Sequence, residues 1–310
     1  MPMSRQKPAR PSRFWTVAVT VVVAVGVVAL LGVTTGLVPL GVSPSAHSRP
    51  VTVTPPSGPV TTTVTPRPGQ RPRSRLRVVA LGDSVTAGSA CGCDAFPVVY
   101  ARLLSHQQHR PVQVENLGVA GLGSAGMLSQ LDQTSTARDV AAADVVLVTI
   151  GANDFSDHKS DVTQDVCTRP GNGDCVSDEL DAMRNRVSAA LARIRRLRSG
   201  PPGQVLVTGY WNVFEDGKVA RQSYSSAGVA ATVDLTVRAN AELRRAADAN
   251  GATYVDLLGP FRRSARDITQ LLAGDGDHPD ARGHQLIART LLAAGPRPVS
   301  SAAGTATTAP

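Results

Sequence analysis

Aromatic residues are scarce in this chain: phenylalanine, tryptophan and tyrosine together make up 4% of its 310 residues. A hydrophobic core must therefore be built from valine, leucine, isoleucine and alanine. Hydrophobic residues reach 42%, which is enough for a sizeable core and argues against a wholly disordered chain. The length allows one large domain or two small ones.

Acidic residues are absent from the first 82 positions, which hold ten of the 32 basic residues. The remaining part, 83–310, carries 22 basic against 24 acidic side chains. The net charge of +8 therefore belongs to the N-terminal part of the chain. Because the rest has no excess of positive charge, we expect no nucleic-acid partner.

Charge of either sign is missing from a long stretch near the N-terminus. The basic segment 1–13 precedes the apolar segment 14–42, in which residues 14–33 are uncharged and long enough to span a bilayer as a helix. We expect a transmembrane signal anchor that keeps 1–13 in the cytoplasm and the rest outside. The run is long for a signal peptide, but a cleaved signal, with 43–46 as a loose cleavage site, remains the alternative and would give a secreted protein.

Proline, threonine, serine and arginine dominate 43–76, where large hydrophobic side chains are few. We expect a semi-extended linker there. The segment 296–310 is small and polar, and we expect a disordered tail. One domain remains between them, 77–295, and its length suits a single α/β unit.

Short apolar runs alternate with segments of helical periodicity inside this domain. The runs at 76–81, 112–118, 143–151, 204–210 and 252–258 predict strands, and 177–199, 229–251 and 280–295 predict helices. Ser177 or Asp178 is expected to cap the first of these helices. The alternation predicts a parallel sheet with helices on both faces and a site at the carboxyl ends of its strands.

Polar or small residues that acyl transfer needs follow four of these strands. Ser84 follows the first, Gly121 the second and Asn153 the third, and Asp275 and His278 come after the fifth. A serine after one strand would by itself indicate only a helix cap. A serine nucleophile also needs a histidine base, a carboxylate that orients it and N–H donors for the oxyanion, and this set contains all of them.

The segments 82–84, 151–154 and 275–279, together with Gly121, resemble in order the signature blocks of the SGNH (GDSL) hydrolases. The resemblance spans about 77–295 and is to esterases and lipases of the secreted or membrane-anchored actinobacterial type. It implies a flavodoxin-like three-layer α/β/α fold with about five parallel strands, the SGNH hydrolase fold. It also implies ester hydrolysis through a covalent acyl-enzyme, with no cofactor and no metal.

The resemblance assigns a role to each motif residue. Ser84 would be the nucleophile, His278 the general base and then the general acid, and Asp275 the carboxylate that orients the imidazole, which completes a catalytic triad. The oxyanion hole would consist of the backbone N–H groups of Ser84 and Gly121 and the side-chain amide of Asn153.

Four polar neighbours of these residues receive structural roles. We expect Asp83 and Asp154 to accept hydrogen bonds from turn amides, and Asn116 to brace the segment after the second strand. The family pattern places its carboxylate three residues before the histidine, so Asp277 is expected to be a bystander. Alternatively, Asp277 could replace Asp275 as the carboxylate that orients the imidazole.

Three residues near the strand ends are candidates for a substrate pocket: Trp211, Phe214 and Leu122. Packing at the rim of the core is an equally good interpretation of the two aromatic residues. His158 and Lys159 follow the third strand closely and could contact substrate, although an exposed loop is the simpler interpretation.

Four cysteines in an exported chain indicate disulfides. A local bond between Cys167 and Cys175 is our first choice. A bond between Cys91 and Cys93 would close a very small ring around one glycine. In the alternative, Cys91 and Cys93 each bond to either Cys167 or Cys175, which would join the loops after the first and third strands. The spacings do not fit the usual zinc sites.

These observations predict an extracytoplasmic serine esterase that acts on carboxylic esters of the cell envelope, whether lipid esters, acetylated sugars or simple acyl esters. An O-acyltransferase with the same triad is one alternative. An inactive domain that binds carbohydrate or an envelope partner is the other. The oligomeric state is not predicted.

Overall fold

The computed structural model of the chain describes residues 51–53, 75–167, 173–198 and 204–295. The predicted basic N-terminus, membrane segment and tail (1–13, 14–42 and 296–310) lie outside these residues, as does most of the predicted linker. Within the described ranges, no helix is both long enough and apolar enough to cross a bilayer.

Six strands form the sheet in the described part of the chain: β1 (Val51–Val53), β2 (Leu76–Gly82), β3 (Val112–Gly118), β4 (Val145–Thr149), β5 (Gln204–Thr208) and β6 (Thr253–Val255). Their order across the sheet is β1-β3-β2-β4-β5-β6. The strands β2 to β6 are all parallel, which confirms the five predicted parallel strands.

The first strand belongs to the segment expected to be a linker, 43–76. It pairs antiparallel with the beginning of β3, with Val51 opposite Val114 and Val53 opposite Val112. Its valine and threonine residues suit a strand, but a run of three residues is too short to show a period of two. The structure thus differs from the linker prediction at these three residues, which extend the sheet at its β3 edge.

Helices connect the parallel strands. In chain order they are α1 (Ser84–Ala87), α2 (Phe96–Gln108), α3 (Ser124–Gln130), α4 (Thr134–Ala141), α5 (Lys159–Thr163), α6 (Ser177–Leu197), α7 (Gly217–Ser223), α8 (Ser226–Ala249), α9 (Leu258–Ser264) and α10 (Ala281–Ala294), with 3₁₀ helices at Ala152–His158 and Ile268–Leu271. The predicted helices correspond to α6, α8 and α10. Helix α2 packs against α10, and α6 packs against α8.

The start of α6 differs from its prediction. Val176 occupies the cap position without a side-chain hydrogen bond, and Ser177 is already the first helical residue. The prediction of Ser177 or Asp178 as the cap is therefore wrong. Asp174 accepts a hydrogen bond from the Val176 N–H at 3.2 Å, and Asp178 and Glu179 place negative charge in the first turn, where it complements the helix dipole.

The two central strands position the site. All five residues of β4 and the last five of β2 are buried, because helices cover both faces of the sheet. Gly82, the last residue of β2, lies opposite Thr149, the last residue of β4. The segments after these strands, 83–84 and 151–154, therefore leave the sheet side by side at its carboxyl edge.

Candidate active site

Both oxygens of the Asp275 carboxylate take part in hydrogen bonds. Its Oδ2 lies 2.7 Å from Nδ1 of His278, and its Oδ1 accepts from the backbone N–H groups of Asp277 and His278 at 3.1 Å. Burial tends to raise the pKa of Asp275, but these hydrogen bonds and the neighbouring imidazole together hold it below its usual value. An ionised, fixed carboxylate on Nδ1 orients the ring and leaves Nε2 of His278 for proton transfer.

The turn that carries these residues is itself fixed. The Ala273 N–H donates to the His278 carbonyl, and the Asp216 N–H donates to the Gly276 carbonyl, both at 2.8 Å. Gly276 has a φ of +74°, and a Cβ there would lie 2.5 Å from Cβ of Val219. The motif therefore needs its glycine, and the turn is tied to the segment after β5.

Ser84 is the first residue of α1, immediately beyond β2. Asp83 caps this short helix by accepting from the Val85 N–H at 3.0 Å, which confirms the turn-acceptor role predicted for Asp83. Gly82 has a φ of +152°, and a Cβ there would lie 2.1 Å from the Thr149 carbonyl oxygen. The N–H of Ser84 is in the first turn, where no helical acceptor exists, so it can face an oxyanion.

The other oxygen of Asp83 accepts from the hydroxyl of Tyr210, and both side chains are buried. Burial raises the pKa of Asp83 to about 6, although its hydrogen bonds to Tyr210 and Val85 act in the opposite direction. Tyr210 was not among the predicted site residues. It follows β5, and nothing in the local sequence indicates that it reaches a residue at the end of β2.

Asn153 links the segment after β4 to the segment that contains Gly121. It lies in the 3₁₀ helix after β4, and its Nδ2 donates to the Leu122 carbonyl at 3.1 Å. The amide has a second hydrogen, which can serve a ligand. Gly121, beside Leu122, has a φ of +77°, and a Cβ there would meet nothing within 4 Å. Its backbone conformation, rather than crowding by the protein, requires glycine.

Asn116 and Asp154 brace the loops around the site, as predicted. Asn116 donates to the Thr86 carbonyl at 2.8 Å and accepts from the Gly118 N–H at 3.0 Å, which ties β3 to α1. Asp154 accepts from the Ser124 N–H at 2.8 Å at the start of α3. These bonds confirm the structural roles expected for both residues.

Three motif side chains, Ser84, Asn153 and His278, meet at one cavity of about 30 Å³. Asp275 lies behind His278 and outside its lining. The other lining residues are Asp83, Val85, Ala152, Tyr210, Trp211, Asn212, Val213 and Asp277. The structure thus brings the predicted nucleophile, base and amide donor to one place.

The predicted pocket residues contribute less than expected. Trp211 lines the cavity, but its side chain is buried and stacks on Phe261 with ring centroids 4.4 Å apart. Phe214 is buried too, and neither it nor Leu122 belongs to the cavity lining. Asp277, in contrast, was expected to be a bystander and lines the cavity.

The arrangement is equipped for acyl transfer. His278 can accept the proton of the Ser84 hydroxyl while the oxygen attacks an ester carbonyl, and can then give that proton to the leaving alcohol. The Ser84 N–H and the Asn153 amide can stabilise the oxyanion. A water molecule activated by His278 would release the acid and regenerate Ser84.

The four cysteines form two local disulfides, Cys91–Cys93 and Cys167–Cys175. Two groups of side chains in the described ranges bring potential metal ligands within 4.8 Å of one another: Cys91, Cys93 and His284, and His158, Asp161 and Cys175. Each group includes cysteine sulfur that is part of a disulfide and is therefore not a thiolate ligand.

A sequence model of the GDSL-like Lipase/Acylhydrolase family matches residues 80–286 of the chain. No curated protein matches the chain.

Solved structures share the fold at low sequence identity. A lipase, Lip_vut3, from a goat rumen metagenome is 20% identical, with a TM-score of 0.57 over 71% of this chain and 97% of that one. Phospholipase A1 from Streptomyces albidoflavus NA297 is 19% identical, with a TM-score of 0.52 over 72% and 100%. A catalytic mutant of Axe2, an acetylxylan esterase from Geobacillus stearothermophilus, is 16% identical, with a TM-score of 0.50 over 71% and 93%.

Proposed function

Because the chain belongs to the GDSL-like lipase/acylhydrolase family, it is a carboxylic ester hydrolase, and we propose that it is an extracytoplasmic serine esterase for short acyl esters. The observation that carries this proposal is the meeting of Ser84, Asn153 and His278 at one cavity. Asp275 lies 2.7 Å from the His278 ring and completes the triad.

The size and lining of the cavity favour a short acyl group. Its volume of about 30 Å³ is far below the roughly 300–1,000 Å³ typical of pockets that enclose a ligand. Polar side chains, among them Asn212 and Asp277, make up much of its wall, and a long alkyl chain would leave their polar atoms without partners. An acetyl ester fits this site better than a long-chain lipid ester.

The proposed location rests on the sequence and on the cysteines. The uncharged segment 14–33 follows a basic segment, which favours an anchor with the domain outside. Disulfides persist in oxidising compartments, and all four cysteines are paired. An ester of the cell envelope or its surroundings is the substrate that such a location would offer.

Hydrolysis of p-nitrophenyl acetate, butyrate and palmitate by the full chain tests the activity. Ser84→Ala removes the nucleophile, and Ser89→Ala is the matched control because Ser89 lies five residues on, just beyond the end of α1, and outside the cavity lining. We expect acetate to be preferred, and both hydrolysis and labelling by a fluorophosphonate to disappear in Ser84→Ala alone. Hydrolysis that survives Ser84→Ala would overturn the proposal.

Two further readouts address the alternatives. Labelling of Ser84 with almost no hydrolysis would contradict an esterase and favour an acyltransferase that uses an acceptor other than water. Fractionation of expressing cells tests the location: an anchored domain stays with washed membranes and is cut by protease added to intact spheroplasts. A protease-resistant chain inside the cell would refute the extracytoplasmic location.

A further inference from the structure

The cavity lining contains two carboxylates that the triad does not use, Asp83 and Asp277, and only Asp83 has a side-chain partner there. Asp277 stands next to His278 in the chain and lines the same cavity as Ser84. Within the described residues, its backbone N–H is bonded to Asp275 but no hydrogen bond or ion pair reaches its carboxylate.

The neighbouring acids all have partners. Asp275 is bonded to the His278 ring, and Asp83 accepts from Tyr210. Glu215, in the segment tied to the motif turn, pairs with Lys159 and also accepts from a tyrosine hydroxyl. The positive charge of Lys159 is thus already neutralised by Glu215.

The surroundings of Asp277 disfavour the ionised form of its carboxyl group. Burial is the main reason why its pKa is raised, and the carboxylates of Glu215 and Asp275 add to this effect, against the opposing charges of His278 and Lys159. A donor from a bound molecule would relieve this penalty, whereas an alkyl group would remove the remaining water and supply nothing in return.

The side of the ester that Asp277 faces follows from the chemistry. His278 must contact the leaving oxygen in order to protonate it, and the carbonyl oxygen must face Ser84 and Asn153. Asp277 adjoins His278 in the chain and lines the same cavity, so we assign it to the alcohol that His278 protonates rather than to the acyl group.

We propose that Asp277 determines specificity for the alcohol of the substrate, by accepting a hydrogen bond from a hydroxyl group close to the ester oxygen. The substrates are then acyl esters of polyols, such as glycerol or a sugar, in preference to esters of simple alkyl alcohols. Esters with a negative charge at that place are disfavoured by repulsion. The inference rests on the proposed esterase function.

Two substrates that differ only in hydroxyl groups test this inference: glycerol monoacetate and propyl acetate. The full chain is compared with Asp277→Leu, which removes the acceptor, and with Asp277→Asn, which removes the charge but keeps an oxygen acceptor. Asp157→Asn is the matched control, since Asp157 is an exposed acid on the 3₁₀ helix of Asn153 and is outside the cavity lining.

We expect the wild type to prefer glycerol monoacetate by about 10- to 100-fold in kcat/KM, as for a hydrogen bond to a charged acceptor. Asp277→Leu should bring this ratio close to one by lowering kcat/KM for glycerol monoacetate much more than for propyl acetate, and Asp277→Asn should give an intermediate ratio. Asp157→Asn should keep the wild-type ratio. If Asp277→Leu does not fold, judged by circular dichroism, the ratio in Asp277→Asn decides.

Failure of the inference is distinguishable from failure of the esterase function. Hydrolysis that depends on Ser84 but shows the same substrate ratio in wild type and the Asp277 variants refutes the role of Asp277 alone. An equal loss on both substrates also refutes it, because it would make Asp277 part of the general machinery. Absence of any Ser84-dependent hydrolysis refutes the esterase function and the inference with it.

Discussion

The buried bond between Tyr210 and Asp83 should make the stability of the domain depend on pH in a defined way. Tyr210→Phe removes one hydroxyl and leaves Oδ2 of Asp83 buried without its partner. Asp83 caps the helix that begins with Ser84, so the same change loosens the support of the nucleophile.

The pKa of Asp83 gives the sign of the effect. Burial raises it from 3.8 to about 6 in the folded protein. The folded state therefore binds the proton more tightly than the unfolded chain, and the contribution of Asp83 to stability falls as the pH rises from about 4 to about 6. Above that range the carboxylate is ionised, and the hydroxyl of Tyr210 is its compensating donor.

The magnitude follows from the charge on the acceptor. At pH 8, Tyr210→Phe should lower the free energy of unfolding by about 1.5–3 kcal/mol, the usual worth of a hydrogen bond to a charged group. At pH 5, where Asp83 is mostly protonated, the loss should be about 0.5–1.5 kcal/mol. For a domain of this size, a loss of about 2 kcal/mol corresponds to a decrease in Tm of roughly 4–8 °C.

Urea and thermal unfolding of the full chain at the two pH values, followed by circular dichroism, would measure these losses. Tyr100→Phe is the matched control, because the Tyr100 hydroxyl is buried and has no hydrogen-bond partner in the described residues. It should change stability little and equally at both pH values. Equal losses for Tyr210→Phe at pH 5 and pH 8 would refute the reasoning.

Three further expectations concern catalysis, backbone and disulfides. Asp275→Asn should lower kcat by about 10⁴-fold with little change in the circular dichroism spectrum, and near-normal turnover would contradict its role. Gly82→Ala should abolish folding because its Cβ would lie 2.1 Å from a carbonyl oxygen, whereas Gly121→Ala should cost only about 1–2 kcal/mol of backbone strain in urea unfolding. Replacing Cys167–Cys175 by serines should cost about 2.5 kcal/mol of stability and replacing Cys91–Cys93 about 1.5, because the first bond closes the longer loop; the reverse order would contradict this.

The parallel strands could be predicted because their signal is local. β4 lies inside the predicted run because a strand buried on both faces is continuous in apolar residues. β3 has the predicted bounds although it contains polar residues and is only partly buried. The fifth predicted strand, 252–258, extends too far: β6 stops at Val255, and Leu258 already begins a helix. Apolar residues that pack a short helix against the sheet look like strand residues in the sequence.

Ser84, Gly121 and Asn153 could be placed because each closely follows a strand, and the carboxyl ends of parallel strands share one edge. Asp275 and His278 follow β6 only after two short helices, and their motif indicated their place. Tyr210 and Asp277 could not be assigned in the same way. Tyr210 reaches Asp83 across 127 positions of the chain, and Asp277 enters the cavity through the shape of a turn. Both depend on the packing of distant segments, for which a single sequence carries no period or spacing.

The short strand β1 has a consequence for handling the protein. Without it, β3 would be the last strand of the sheet, with a row of free backbone N–H and C=O groups from Val112 to Val114. Such an edge can pair with the same edge of another molecule and lead to aggregates. A chain shortened to begin at Arg77 would keep every catalytic residue and lose this cover, so the cut for crystallisation or assay belongs before Val51.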